Sequence, residues 1–280
     1  MSSYLCPASL DDALAALAAR SLTVVAGGTD VYPARVGRAF DDNVLDISRL
    51  AALRGIEPRE EGWTIGALAT WSDILAADLP PLFDGLKLAA REVGGVQIQN
   101  AGTVAGNLCN ASPAADGVPA LLSLGAQVAL RGAHGMRVLA LQDFILGNRR
   151  TARRPDELLT EIRVPTPRAR DARGHFRKLG ARRYLVISIV MAAAVIEVED
   201  EVVSAARVAV GACSEVAMRL ADLEQAMVGR HVDGELGLVA TADHVTPLQP
   251  IDDVRATADY RRRAALIVIR RMLNELGAAT

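Results

Sequence analysis

Apolar positions along the chain follow two periods, and an element boundary is predicted where one gives way to the other. Leu10, Leu14 and Leu17 share one helical face behind Ser9 and Asp12, a pairing suited to an N-terminal cap, so a helix is expected there. "TVVAGGTDV" (residues 23–31) reads as a buried strand running into a turn at Gly27 and Gly28. "NVLDIS" (residues 43–48) reads as another strand, and "GWTIGALATWSDIL" as a strand turning into a helix at Ser72. Helix and strand alternating at such short range favour a mixed α/β layer in the opening third.

Further along, "PPLFDGLKLAAREVGG" is predicted to be helical after its prolines. "NAGTVAGNLCNASPAAD" (residues 100–116) is small and polar, which suits a loop better than a core element, and "VPALLSLG" after it is helical again. "AQVALRG", "MRVLAL" and "LLTEIRVP" read as strands. "PTPRARDARGH" (residues 165–175), basic and interrupted by proline, is the best linker. Beyond it, two or three long strands are expected from "GHFRKLGARRYLVISIVMAAAVIEVED" and "VVSAARVAVGACSEV". Two helices close the chain, around "AMRLADLEQAMVG" and "TADYRRRAALIVIRRMLNELG".

Composition narrows the function. At 280 residues and 51% hydrophobic, the chain can bury a large core, in two domains by its size. Thirty-one basic against 33 acidic residues leave a net charge of −2, and only 4% are aromatic, so nucleic acid is not an expected partner. The N-terminus lacks the basic-then-apolar order of a signal peptide, and the longest apolar run, "VISIVMAAAVI", is too short to cross a bilayer. Cys6, Cys109 and Cys213 are scattered and offer no metal or iron–sulfur spacing, which points to a reducing, cytoplasmic setting. His134, His175, His231 and His244 show no ligand spacing either. Nucleotide-binding and hydrolase motifs of the GxGxxG, GxxxxGK[ST] and GxSxG kinds are absent.

Two small-residue stretches remain, "AGGTD" (residues 26–30) and "TVAGN" (residues 103–107). Backbone amides can bind a diphosphate only where side chains leave room for its oxygens. Thr29 and Thr103 add hydroxyls, Asn107 an amide, and Asp116 an acceptor for a sugar hydroxyl. Either stretch alone would serve equally well as an ordinary turn. Their order and separation are more specific.

"VVAGGTD" followed by "TVAGNLCNASPAADGVPALLSLGAQV" resembles the FAD-binding (medium) subunit of the molybdenum hydroxylases, the xanthine dehydrogenase family. The resemblance extends through "DELLTEIRVP" and "FRKLGARR" to "RVAVGACSEVAMRLADLEQAMVG". It implies an α+β fold: a vanillyl-alcohol-oxidase (PCMH)-type FAD-binding domain over residues 1–170, made of two α/β subdomains at about 1–55 and 56–170. A smaller C-terminal domain, residues 171–280, would carry an antiparallel sheet and helices. Carried over, Ala26, Gly27, Gly28, Thr29 and Asp30 would wrap the diphosphate from one side, and Thr103, Gly106 and Asn107 from the other. Asp116 would meet the ribityl or ribose region, Leu159 would wall the cofactor, Lys178 would lie near the flavin end, and Ile187 would face the isoalloxazine ring. Leu159 and Ile187 also suit plain core positions, and Cys109 reads as a buried small residue rather than a flavin anchor. Relatives usually have a second glycine where this chain has Ala105, and some carry an acid where it has Leu185.

The function so implied is an electron-transfer subunit of an oxidoreductase. FAD would be held non-covalently. Iron–sulfur clusters on a small subunit would supply electrons drawn from a molybdopterin subunit, and NAD or another acceptor would take them. The assembly implied is a dimer of heterotrimers. A stand-alone flavin oxidoreductase and a flavin-free scaffold are the alternatives. Arg149, Arg150, Arg153 and Arg154 form a basic run that fits a solvated loop or a docking face for an acidic partner.

Overall fold

The computed structural model describes residues 3–37 and 41–278. Tyr4–Leu5 (β1), Thr23–Val25 (β2) and Val44–Asp46 (β3) form a small parallel sheet in the order β1-β3-β2. Helix α1 (Leu10–Ala19) starts as predicted, with the Ser9 hydroxyl accepting from the Asp12 N–H, and buries Ala13, Leu14 and Leu17. β2 stops at Val25, short of the glycines, because the chain leaves the sheet there.

A five-stranded antiparallel sheet follows, in the order β4 (Ile56–Arg59), β5 (Gly62–Gly66), β10 (Leu158–Pro165), β6 (Gln127–Gly132) and β7 (Gly135–Ala140). Ile162 of β10 pairs with Ile65 on one side and Val128 on the other, and all three are fully buried. Helices α2 (Trp71–Ala76), α3 (Asp84–Glu92), α4 (Val96–Ala101), α5 (Val104–Asn110) and α6 (Gly117–Ser123) lie between β5 and β6 in sequence. Every residue of α6 is buried, which makes it the central helix of the molecule. A short helix α7 (Leu141–Phe144) leads into the hairpin of β8 (Ile145–Gly147) and β9 (Arg150–Thr151).

The second half is an antiparallel sheet of β11 (Asp171–Leu179), β12 (Val190–Glu199), β13 (Val202–Gly211) and β14 (Met218–Arg219), with helices α8 (Ala221–Met227) and α9 (Ala258–Ala278). β12 is apolar on both faces because it is the wall between two cores. Met191, Ala193 and Val195 pack into the first. Val190, Ala192, Ala194 and Ile196 alternate with them and pack into the second, against α8 and α9. Arg261, 3% exposed, clips α9 to this sheet by donating to the carbonyls of Ile189 and Ala212 and pairing with Asp253.

Two expectations change here. The linker is shorter than residues 165–175, because β11 already begins at Asp171. The intervening backbone is held by buried Glu197, which accepts from the N–H groups of Arg168 and Ala169 and from Arg207. The stretch predicted as a loop at 103–110 is helical. The Thr103 hydroxyl caps it, and Val104, Ala105 and Leu108 supply the buried face that small-residue composition conceals.

Acid should undo part of this fold. Burial alone would raise the Glu197 carboxyl, but the amides of Ala169 and Arg168 and the Arg207 guanidinium outweigh it and hold it low. Arg137 does the same to Glu157, and for Asp253 the bonds from Arg255 and Arg261 overcome burial. The unfolded chain takes up these protons near the ordinary values of 3.8 and 4.5, before the folded chain does. The stability these groups contribute is therefore present above those values and is lost as pH falls through the lower folded ones. Melting curves are expected to hold steady against this effect near neutrality and drop below about pH 4.5. Glu197→Gln should show a shallower drop; an equal drop would mean that Glu197 does not contribute to it.

Candidate functional site

A cleft of about 900 Å³ opens between the parallel sheet, the α4–α5 segment and the loop that precedes β12. All of the predicted site residues except Lys178 line it.

The first wall is the turn after β2. Ile47 donates its N–H to the Val25 carbonyl and ends the sheet, so the next residues turn outward along the cleft. A Cβ on Gly27 would lie 1.8 Å from the Ala101 carbonyl oxygen, so the two loops meet backbone to backbone at this point. Gly28 has φ +69° and is buried, a conformation that favours glycine. The N–H groups of Gly27, Gly28, Thr29 and Asp30 find no acceptor among the described residues. Gly28 is buried, Gly27 and Thr29 are half-buried and Asp30 is exposed, so this row of amides is open to an acceptor-rich group in the cleft.

The second wall is Gly102, Thr103 and α5. Trp71 donates to the Gly102 carbonyl and Val104 to the Ala69 carbonyl, which pins the entry to the helix. The Thr103 hydroxyl accepts from the Gly106 N–H at 2.9 Å and keeps its own proton to donate. A Cβ on Gly106 would meet only Thr103 atoms, so its other side is open. The Asn107 Oδ1 is buried and has no partner among the described residues. Ala105, where the resemblance leads one to expect glycine, is 3% exposed and packed in the first core without a positive φ, so its methyl is accommodated. Cys109 is exposed and lines the cleft, contrary to its expected burial, because α5 turns that face outward.

Asp116 sits deeper. Lys178 Nζ donates to one carboxylate oxygen and Ser188 Oγ to the other, both at 2.7 Å. Burial pushes the Asp116 carboxyl up, against the pull of the Lys178 ammonium and the two hydrogen bonds. Lys178 is thus brought to the site, but behind Asp116 rather than on the cleft surface. Leu159 is 2% exposed and part of the cleft wall, whereas Val186 and Ile187 belong to the rim loop, with Ile187 52% exposed. Leu185 beside them adopts φ +51°, with its carbonyl held by the Arg182 guanidinium.

Asn110, Arg149 and Arg153 also line the cleft and were not among the expected site residues. The arginines were visible as a basic run. Which of them face inward depends on the β8–β9 hairpin, a pair of very short strands that periodicity does not reveal.

Comparison with known proteins identifies the family of the chain. Residues 1–167 match the family model described as the FAD binding domain in molybdopterin dehydrogenase, and residues 175–276 match the CO dehydrogenase flavoprotein C-terminal domain. A nicotinate dehydrogenase FAD-subunit from Eubacterium barkeri is 34% identical, over 70% of this chain and 64% of that one. A carbon monoxide dehydrogenase medium chain from Afipia carboxidovorans is 32% identical, over 97% and 95%. The solved structure of reconstituted CO dehydrogenase from Oligotropha carboxidovorans superposes with a TM-score of 0.89 at 26% identity, over 100% of this chain and 99% of that one. With both halves matched and the cleft in place between them, the chain belongs to the family of FAD-binding subunits of the molybdopterin dehydrogenases.

Proposed function

We propose that the chain holds FAD non-covalently in this cleft and serves as the electron-transfer subunit of a molybdenum-hydroxylase complex. The observation that carries the reading is the row of unpaired N–H groups from Gly27 to Asp30, facing Thr103, Gly106 and Asn107 across the cleft. Ala26 would border the diphosphate they hold. Asp116, fixed by Lys178 and Ser188, would accept from a hydroxyl of the ribityl or ribose. Leu159 and Ile187 would flank the ring and keep water from it. FAD supplies the redox chemistry when bound, since a flavin exchanges electrons singly or in pairs. Leu159, Leu185 and Ile187 offer apolar surface to the ring, which suits a relay of electrons through the cofactor.

Partners follow from the same reading: an iron–sulfur subunit to deliver electrons, a molybdopterin subunit to generate them, and NAD or another acceptor. A dimer of heterotrimers is the proposed assembly, with the division between this chain's two domains near residue 170. Among the described residues no helix is long and apolar enough to cross a membrane, and no cysteine is paired. A cytoplasmic location is part of the proposal.

An absorption spectrum of the purified chain, before and after denaturation, tests it. Flavin bands released on denaturation and identified as FAD are the expected result. A colourless chain that also refuses added FAD would overturn the reading in favour of a flavin-free scaffold.

A further inference from the structure

We propose that Arg149 and Arg153 form a cationic clamp on the diphosphate of the cofactor, and that Asn110 positions it; this rests on the FAD reading of the cleft. A diphosphate placed against residues 26–30 brings its negative charge beside Asp30, the acid of that loop. A cation nearby would offset part of both charges. Asn110 supplies the connection. Its Nδ2 donates to Asp30 Oδ1 at 3.0 Å, and its Oδ1 accepts from Arg149 Nη1 at 3.0 Å. The Arg149 guanidinium is therefore two hydrogen bonds from the loop.

The backbone holds it there. Arg149 adopts φ +55°, uncommon for a residue with a side chain, and donates its N–H to the carbonyl of Ala111, which is itself left-handed at φ +47°. This bond fastens the hairpin to the end of α5. Arg153 is fixed differently. Its Nη1 donates to the carbonyls of Arg154, Pro155 and Glu157, while its Nε and Nη2 have no acceptor among the described residues. Both arginines line the cleft, and neither is paired with a carboxylate among the described residues. Arg137, nearby in the fold, is paired with Glu157. Arg150 and Arg154 do not line the cleft, so the basic run divides into two inward and two outward members. A planar guanidinium with free donors is well matched to phosphate oxygens.

The test uses the full 280-residue chain freed of flavin and titrated with FAD and with riboflavin, which has the ring but no phosphate. Arg149→Gln and Arg153→Gln are each expected to weaken FAD about tenfold or more and to leave riboflavin within about twofold. Arg150→Gln is expected to change neither. The loss of FAD affinity between about 0.05 and 0.5 M salt should be smaller in the double variant. Should Arg149→Gln fail to fold, Arg149→Lys carries the test: FAD is expected to weaken severalfold with riboflavin unchanged, because the charge remains but the fork is lost. FAD and riboflavin falling together would overturn the clamp, since the hairpin would then merely shape the cleft. Unchanged FAD affinity would overturn it as well. If the unaltered chain takes up neither flavin, the FAD reading itself falls and the clamp with it, which separates that failure from failure of the clamp alone.

Discussion

Gly27→Ala is expected to strip the purified chain of its FAD, with affinity falling about a hundredfold or more, while the flavin-free chain still folds. The new Cβ would lie 1.8 Å from the Ala101 carbonyl oxygen, so the loop after β2 and the segment before α5 must separate. Overpacking of this kind costs about 1–3 kcal/mol, which in a chain of this size lowers the melting temperature by about 2–5 °C. A diphosphate site tolerates the shift far less, because its donors must stay within about half an ångström of their acceptors. Equilibrium titration with FAD and a melting curve of the flavin-free chain give the two numbers. FAD affinity retained in a folded variant would remove the case for a cradle. Gly28 makes a poorer test, since its φ of +69° would strain any side chain whatever the ligand needs. Gly106→Ala is the milder companion: its Cβ meets only Thr103, at 2.8 Å from the capping hydroxyl, so a smaller loss is expected.

Lys178→Met is expected to destabilise the chain by about 3–5 kcal/mol, because it leaves the Asp116 carboxylate buried without its cation. The sign of the pH dependence distinguishes this cause from lost packing. Burial already holds the Asp116 carboxyl above its ordinary range, and removing the ammonium raises it further. A carboxyl with a raised folded value favours the folded state when protonated and disfavours it when ionised. The deficit of the variant should therefore be largest at neutral pH and shrink as pH falls toward the raised value. Melting curves of both proteins across acid to neutral pH check this. Adding Asp116→Asn is expected to recover much of the loss in stability without recovering FAD affinity. A deficit that stays constant with pH would mean that Lys178 acts only through its packing.

The sequence alone determined the local elements. The cap at Ser9, the strands read from "AQVALRG" and "LLTEIRVP", and the apolar run of β12 are written in neighbouring residues, because helices and strands repeat with short periods. The paired glycines were also legible, since a turn that packs against another backbone needs residues without side chains. The family was readable from the two small-residue stretches and their spacing. The tertiary structure alone decided what distant segments do to one another. That α5 is helical depends on Ala69 and Trp71 gripping its entry, and that β12 must be apolar on both faces depends on a core lying on either side. That Lys178 pairs with Asp116, 62 residues away, is likewise decided by packing. Arg149 and Arg153 read as part of a solvated loop or a docking face, whereas the hairpin turns them inward and Asn110 links one of them to Asp30 across 80 residues of chain. Charge and hydrogen-bonding capacity belong to a residue, but their partners are chosen by packing, and packing joins positions whose separation in sequence carries no period.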